Sequence, residues 1–216
     1  MKYRNRSEAG RELAKHLDDY RSEDPLVLAL PRGGVEIGYE VAEHLDAELD
    51  VLVVRKLGAP QNPEFGLGAI ASYGAKFLDE EATRTLDIPP HVVDEVEKRE
   101  REELKRREDA YRGDRLPPRV EGRTVIVVDD GLATGGTARA AIRAIRSLHP
   151  EQIVLAVPVG PPQTVQSLRN AFDEVVCPLT PESFRAIGLW YEQFDQLDDD
   201  CVVNLLQERR AHAEQR

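Results

Sequence analysis

The sequence predicts an α/β protein: an open, mostly parallel, twisted sheet flanked by helices, with a helical insertion over 79–118 and a small hood over 178–216. Three observations predict it. Short apolar runs rich in β-branched residues alternate with stretches of helical periodicity. Two of these runs, 26–30 and 124–128, pass directly into loops of glycine and small residues. Strand, helix and strand fit into 26–54, the compass of a βαβ unit of about 30 residues, which is right-handed and parallel.

The elements follow in order. Residues 7–20 read as a helix, with Ser7 as N-cap and Leu13, Ala14 and Leu17 at helical spacing. Pro25 ends that region, and 26–30 is a short buried strand. Pro31-Arg32-Gly33-Gly34 is a tight loop. Val35, Ile37, Val41, Ala42 and Leu45 then mark a crossover helix, and 49–54 is the second strand. Residues 57–67, rich in Gly, Pro and Asn, read as a loop. A short hairpin of 69–72 and 76–78 turns at Tyr73-Gly74-Ala75.

A long charged helix covers 90–111, with a narrow apolar stripe of Val93, Val96, Leu104 and Tyr111. Glu95/Arg99, Glu97/Arg101, Glu102/Arg106 and Glu103/Arg107 stand four apart in the favourable order, each pair contributing about 0.3–0.5 kcal/mol. This is the pattern of a solvated helix with one docked face; a dimer contact or a lid is the alternative. Pro117-Pro118 closes the insertion. Strand 124–128, helix 137–148, strand 153–157, helix 163–171 and strand 174–177 complete the sheet. The tail carries Phe184, Trp190, Tyr191 and Phe194 in a chain otherwise poor in aromatics, then a helix over 198–208. No internal repeat or low-complexity linker divides the chain, so 1–216 reads as a single domain.

Composition narrows the function. A chain of 216 residues with 41% hydrophobic residues suits one well-buried soluble domain. No apolar run approaches a membrane span, and no apolar segment follows the basic N-terminus, so neither a membrane nor a secretory route is expected. Cys177 and Cys201 fit neither a disulfide framework nor a zinc site, which points to free thiols in a reducing cytoplasm. A net charge of -11 repels nucleic acid. A phosphorylated ligand must then be met by local positive groups.

The stretch 124–138 carries the chemistry. A buried strand delivers Asp129 and Asp130, and a loop of Gly131, Ala133, Thr134, Gly135, Gly136 and Thr137 leads into a helix. Glycines permit close backbone approach to a phosphate, threonine hydroxyls donate, and the helix N-terminus favours an anion. Two carboxylates beside it accept from sugar hydroxyls or help hold Mg²⁺, directly or through water. A phosphate next to a vicinal diol is a ribose 5-phosphate. Pro31-Arg32-Gly33-Gly34 sits at the same sheet edge, where Gly33 and Gly34 form a nest of amides for an anion, with Arg32 adding charge. A strand–helix turn needs glycine in any case. Arg55 and Lys56 end the second strand, either as a solvated strand end or as a further contact to a polyphosphate. Gly66-Leu67-Gly68-Ala69-Ile70-Ala71 matches the dinucleotide fingerprint by letters, but a loop rather than a strand precedes it. There is no P-loop, no Gly-x-Ser-x-Gly elbow and no His-Glu-x-x-His.

These residues closely resemble a known family. Residues 125–137 are similar to the phosphoribosyl pyrophosphate (PRPP) motif of type I phosphoribosyltransferases, and Pro31-Arg32-Gly33-Gly34 resembles their pyrophosphate loop. Residues 54–60, 62–65 and 178–192 resemble the branch usually called predicted phosphoribosyltransferases. The resemblance implies a Mg²⁺-dependent transfer of ribose 5-phosphate from PRPP to a small, nucleobase-like acceptor. It implies that Asp129 and Asp130 hold the ribose hydroxyls, and that Ala133, Thr134, Gly135, Gly136 and Thr137 wrap the 5-phosphate. Arg32, Gly33 and Gly34 contact pyrophosphate, with Lys56 helping. A flexible loop falls between 57 and 80, and the acceptor hood comes from the chain ends or the insertion, with Trp190 and Tyr191 either stacking on a planar acceptor or packing the tail. A homodimer is implied as well. The rival expectation is a PRPP- or nucleotide-sensing regulator that kept the fold and lost the chemistry.

Overall fold

The computed structural model describes residues 2–60, 62–86, 88–113 and 115–214, and the side chains of these apart from 62–65 and 214. The first half runs through α1 (Arg6–Ala14), β1 (Leu26–Ala29), α2 (Gly33–Leu45), β2 (Glu48–Val51), β3 (Val54–Ala59), β4 (Asn62–Ala71) and β5 (Lys76–Leu78). The insertion supplies α3 (Glu80–Thr85) and α4 (Pro90–Arg112). Then follow β6 (Thr124–Val128), α5 (Gly136–Ile145), β7 (Gln152–Ala156), α6 (Pro162–Leu168), β8 (Glu174–Val176) and α7 (Asp199–Glu214).

Five strands form a parallel sheet in the order β2-β1-β6-β7-β8. Because side chains alternate across a strand, Val27, Ala29, Ile126, Val128, Val154 and Ala156 face one layer, with α1, α2 and α7. Leu26, Leu28, Val125, Val127, Ile153 and Leu155 face the other, with α5 and α6. Burial on both faces is why these strands read as unbroken apolar runs, each large side chain contributing about 1.5–3 kcal/mol. The connection from β1 passes through α2 on one face and that from β6 through α5 on the other. Neighbouring strands whose connections diverge open a crevice at their carboxyl ends.

Several expectations need correction. The first helix ends at Ala14 and a separate 3-10 turn covers Asp18–Glu23. Asn5, not Ser7, caps α1 by accepting from the Glu8 amide at 2.9 Å, while Ser7 donates to Glu36. The second parallel strand stops at Val51. Val54–Ala59 begins a separate antiparallel sheet, β3-β4-β5, so most of the loop expected over 57–67 is a hairpin. Its inward residues Leu57, Ala59 and Leu67 are buried, but register shifts around Gly58 break the alternation that would have shown a strand. Arg55 and Lys56 therefore sit on β3, not at the edge of the parallel sheet. Gln61 and the side chains of 62–65, within the segment expected to be flexible, lie outside the described residues.

The hairpin of β4 and β5 is as expected, with Tyr73 in the left-handed region (φ 65°) and its hydroxyl donating to Val51 O at 2.8 Å. The stripe of Val93, Val96, Leu104 and Tyr111 does dock α4. Of its four expected ion pairs, Glu97–Arg101 and Glu103–Arg107 form, while Arg106 turns to Glu103 and Arg99 to Glu100. Among the described residues, no helix is long and apolar enough to cross a membrane.

Candidate active site

The crevice between β1 and β6 gathers most of the residues singled out above. Gly135 takes a left-handed conformation (φ 73°) and caps α5 without a side-chain bond. The first-turn amides of Gly136, Thr137 and Ala138 thus have no partner within the helix, and they head a ten-residue dipole. The loop is braced from behind: Arg139 Nη1 donates to Thr134 O at 2.9 Å, and Thr164 Oγ1 donates to Ala133 O at 3.1 Å. Ala133, Thr134 and Thr137 are exposed. A cavity of about 130 Å³ lies here, lined by Asp129, the loop 131–138 and Ile187. Its size and unpaired donors suit one phosphate group.

Lys56 reaches this cradle from the other sheet. Its Nζ lies 2.9 Å from where a Cβ on Gly136 would stand, over the head of α5. It therefore stands beside the loop 131–138, at the head of α5. On its far side, a cavity of about 470 Å³ opens between β3 and α4, lined among others by Val54, Arg55, Lys56, Val96, Arg99 and Glu100, and it shares Thr137 with the cradle. Arg55 grips Glu100 Oε2 through Nε (2.9 Å) and Nη2 (2.6 Å).

Asp129 and Asp130 diverge. Asp129 faces the small cavity, and its Oδ1 accepts from the Asp130 amide at 2.8 Å. Asp130 turns toward the other loop, where its Oδ2 accepts from Arg6 Nε at 3.0 Å. A Cβ on Gly33 would stand 1.9 Å from that oxygen, and one on Gly34 would stand 2.7 Å from Val128 O. The paired glycines are thus required by contact between the two loops. Gly34 is buried and donates its amide to Leu30 O at 3.1 Å, so it is not free to form the expected anion nest.

Burial pushes the Asp129 carboxyl well above the usual carboxylate range, and the charge of Asp130 adds to the effect. Burial raises Asp130 as well, against the pull of Arg6. Among the described residues, no group of three or more His, Cys, Asp or Glu could hold a metal ion. Mg²⁺ commonly uses one or two carboxylates, several waters and substrate phosphates, and the adjoining acids are donors of that kind. With Arg6 already on Asp130, they fit a water-mediated contact better than a protein cage.

Arg32, expected on pyrophosphate, is turned to the tail. Its Nε lies 3.0 Å from Asp199 Oδ1, its Nη1 donates to Leu197 O at 3.1 Å, and Tyr111 donates to the same Asp199 oxygen at 2.7 Å. Tyr191, expected to stack on an acceptor, is buried and donates its hydroxyl to Asp130 O at 2.6 Å. Trp190 stacks on Phe184 with ring centroids 6.4 Å apart. These rings pack the tail and buttress the diacid. Arg6 was not anticipated, yet a signal existed: it shares the apolar stripe of α1 with Ala9, Gly10 and Leu13, where a charged residue needs a buried partner.

Comparison with known proteins agrees with this geometry. A family model described as phosphoribosyl transferase domain matches residues 3–187. A protein of Mycobacterium tuberculosis named "putative phosphoribosyl transferase" is 44% identical over 210 residues, covering 96% of this chain and 46% of that protein. The chain thus spans about half the length of the curated relatives it matches. The crystal structure of TT1426 from Thermus thermophilus superposes with a TM-score of 0.88 at 40% identity, covering 96% of this chain and 99% of that one. A uracil phosphoribosyltransferase of Lactobacillus gasseri is 41% identical over 61 residues, 28% of this chain and 29% of that protein.

Proposed function

Because the chain belongs to the phosphoribosyl transferase domain family, we propose that it transfers the ribose 5-phosphate of PRPP to a nucleobase-like acceptor and releases pyrophosphate. One observation carries this reading. A helix N-terminus with no side-chain cap, and with free amides and threonine hydroxyls, stands directly beside two adjoining acids, at the point where the sheet's connections diverge.

The 5-phosphate sits on the amides of 135–137, with Thr134, Thr137 and Lys56 around it. Asp129 and Asp130 accept from the ribose hydroxyls. Pyrophosphate lies toward Gly33 and Arg32, and Arg32 exchanges Asp199 for the ligand. The bond from C1 to pyrophosphate breaks and its electron pair leaves with the anion. A nitrogen lone pair of the acceptor closes on C1, and that nitrogen's proton goes to solvent. Negative charge on the acids stabilises the cationic ribose in between, and groups fixed in this way contribute about 3–4 kcal/mol each. Asp129 and Asp130 would hold a Mg²⁺ ion through water, and the ion would supply neutralisation of the phosphate charge.

We assign the acceptor to the cavity between β3 and α4 rather than to a hood of Trp190 and Tyr191. Its 470 Å³ lies in the range of small-molecule pockets. Arg55, Arg99 and Glu100 offer both donors and an acceptor to a base edge. The test is pyrophosphate release from PRPP and Mg²⁺ across a panel of purine and pyrimidine bases. Turnover with one base supports the transferase. Saturable PRPP binding without turnover for any base supports the sensing regulator, a reading favoured by the ion pairs that already engage Arg32 and Asp130.

A further inference from the structure

Arg6 has no part in the scheme above, yet its guanidinium lies at the centre of the site. It is 6% exposed at the first residue of α1. A buried cation is costly unless each side of it is met. Here Nε donates to Asp130 Oδ2 at 3.0 Å, Nη1 donates to Asp195 O at 2.8 Å, and the guanidinium carbon lies 3.9 Å from the centroid of the Phe194 ring. The fork is planar and rigid, so contacts on three sides fix its orientation, and with it the position of the carboxylate oxygen it grips. The main chain at the same residue is pinned separately by the Tyr191 hydroxyl. Nε also lies 3.1 Å from the position a Cβ of Gly33 would take, so the guanidinium touches both loops of the crevice.

We propose that Arg6 is a positioning residue for the diol site, holding the Asp130 carboxylate in the orientation that receives the ribose hydroxyls. This rests on the reading of the crevice as a ribose 5-phosphate site. The phosphate cradle is built from other residues and lies on the Asp129 side, so Arg6 acts on the diol and not on the phosphate. Lysine in its place keeps the charge but loses the fork and the flat face over Phe194.

Calorimetric titration of the whole chain with inorganic phosphate and with ribose 5-phosphate separates the two halves of the ligand. The wild-type protein prefers ribose 5-phosphate. In Arg6→Gln that preference falls at least tenfold while the phosphate affinity stays within twofold, and Arg6→Lys recovers part of it. A merely structural role would lower both affinities together or neither. Phe194→Leu removes the surface under the guanidinium while leaving its polar partners, and it lowers the preference by about threefold by the same argument. It decides the matter if Arg6→Gln does not fold. An unchanged or increased preference in a folded Arg6→Gln, or in Phe194→Leu where that variant decides, overturns the positioning role and leaves the site reading standing. A wild-type protein that binds phosphate but shows no preference for the sugar phosphate overturns both.

Discussion

Two carboxylate clusters, one buried and one partly exposed, stand near the carboxyl ends of strands in the same sheet, and they differ in what closes over them. Asp50, in β2, is 2% exposed. Its Oδ2 accepts from Arg112 Nε at 3.0 Å, its Oδ1 accepts from the Val51 amide at 2.8 Å, and Arg210 stands 3.8 Å away. The Arg112 guanidinium lies 5.1 Å from the centroid of Tyr73. This cluster ties the insertion helix α4 to the sheet and to the β4–β5 turn. Asp129 and Asp130, after β6, have one arginine, on Asp130, and a cavity in front of Asp129. Burial raises both Asp50 and Asp130, and an arginine opposes it in each. The same residue types thus make a closed staple where arginines and an aromatic ring seal them, and a receptive site where one face is left open.

The sharpest way to break this contrast is to neutralise the open acids. Asp129→Asn with Asp130→Asn lowers pyrophosphate release by at least about 10³-fold, since two charge-stabilising groups are lost, while circular dichroism stays native. Stability moves the other way. A folded-state pKa raised by burial makes ionisation costly, so stability is lost as pH rises through that pKa. Asp129→Asn alone therefore raises Tm at neutral pH, and the gain vanishes below about pH 4, where the unfolded carboxyl is also protonated. A gain at every pH would refute the cause.

The closed cluster should respond in the opposite sense. Arg112→Met leaves Asp50 buried without its main partner and costs about 3–5 kcal/mol by urea denaturation. Asp50→Leu combined with Arg112→Met costs less than the single change, because the buried Asp50 carboxylate no longer stands without its main partner. If the single change were silent, Asp50 would not be part of a staple.

Next in size is the contact between the loops. Gly33→Ala forces the Asp130 carboxylate to rotate away from a methyl built 1.9 Å from it, and displacement on that scale costs on the order of 10²-fold in kcat/KM. Thermal stability falls as well, because the rotation takes the Asp130 carboxylate from the buried Arg6. The smallest effect concerns Asp173, partly exposed at the start of β8. Burial alone would raise its carboxyl, but Arg146 and the Ile153 amide bring it below its ordinary range. A lowered pKa contributes stability above the unfolded value, and this is lost as pH falls below about 4. Asp173→Asn flattens that acid limb slightly in pH-dependent melting curves, with no change in turnover.

The readable parts of the site were contiguous. Asp129 through Thr137 form one strand end, one loop and one helix start, so chain order and spatial order coincide. The parts that escaped come from elsewhere in the chain. Arg6 approaches from 124 residues away, and Tyr191 from 61 residues away. The position of Lys56 over the head of α5 escapes the sequence, because glycines and a proline hide the antiparallel sheet that carries it. Arg32 lies in the turn between β1 and α2, as its sequence predicts, but Asp199, which grips it in this structure, lies on a helix that sequence periodicity shows without saying where it docks.

By itself, the chain's order of residues determined the parallel sheet, the site of its crevice and the loop at the head of α5. Apolar periodicity and backbone conformational limits act over a few residues, and so they are written locally. Only the tertiary structure decided which cations meet which acids, which aromatic rings are consumed in packing, and where space remains. Those outcomes depend on distant segments competing to pair buried charge, and a buried charge takes whichever partner the fold brings within hydrogen-bond reach.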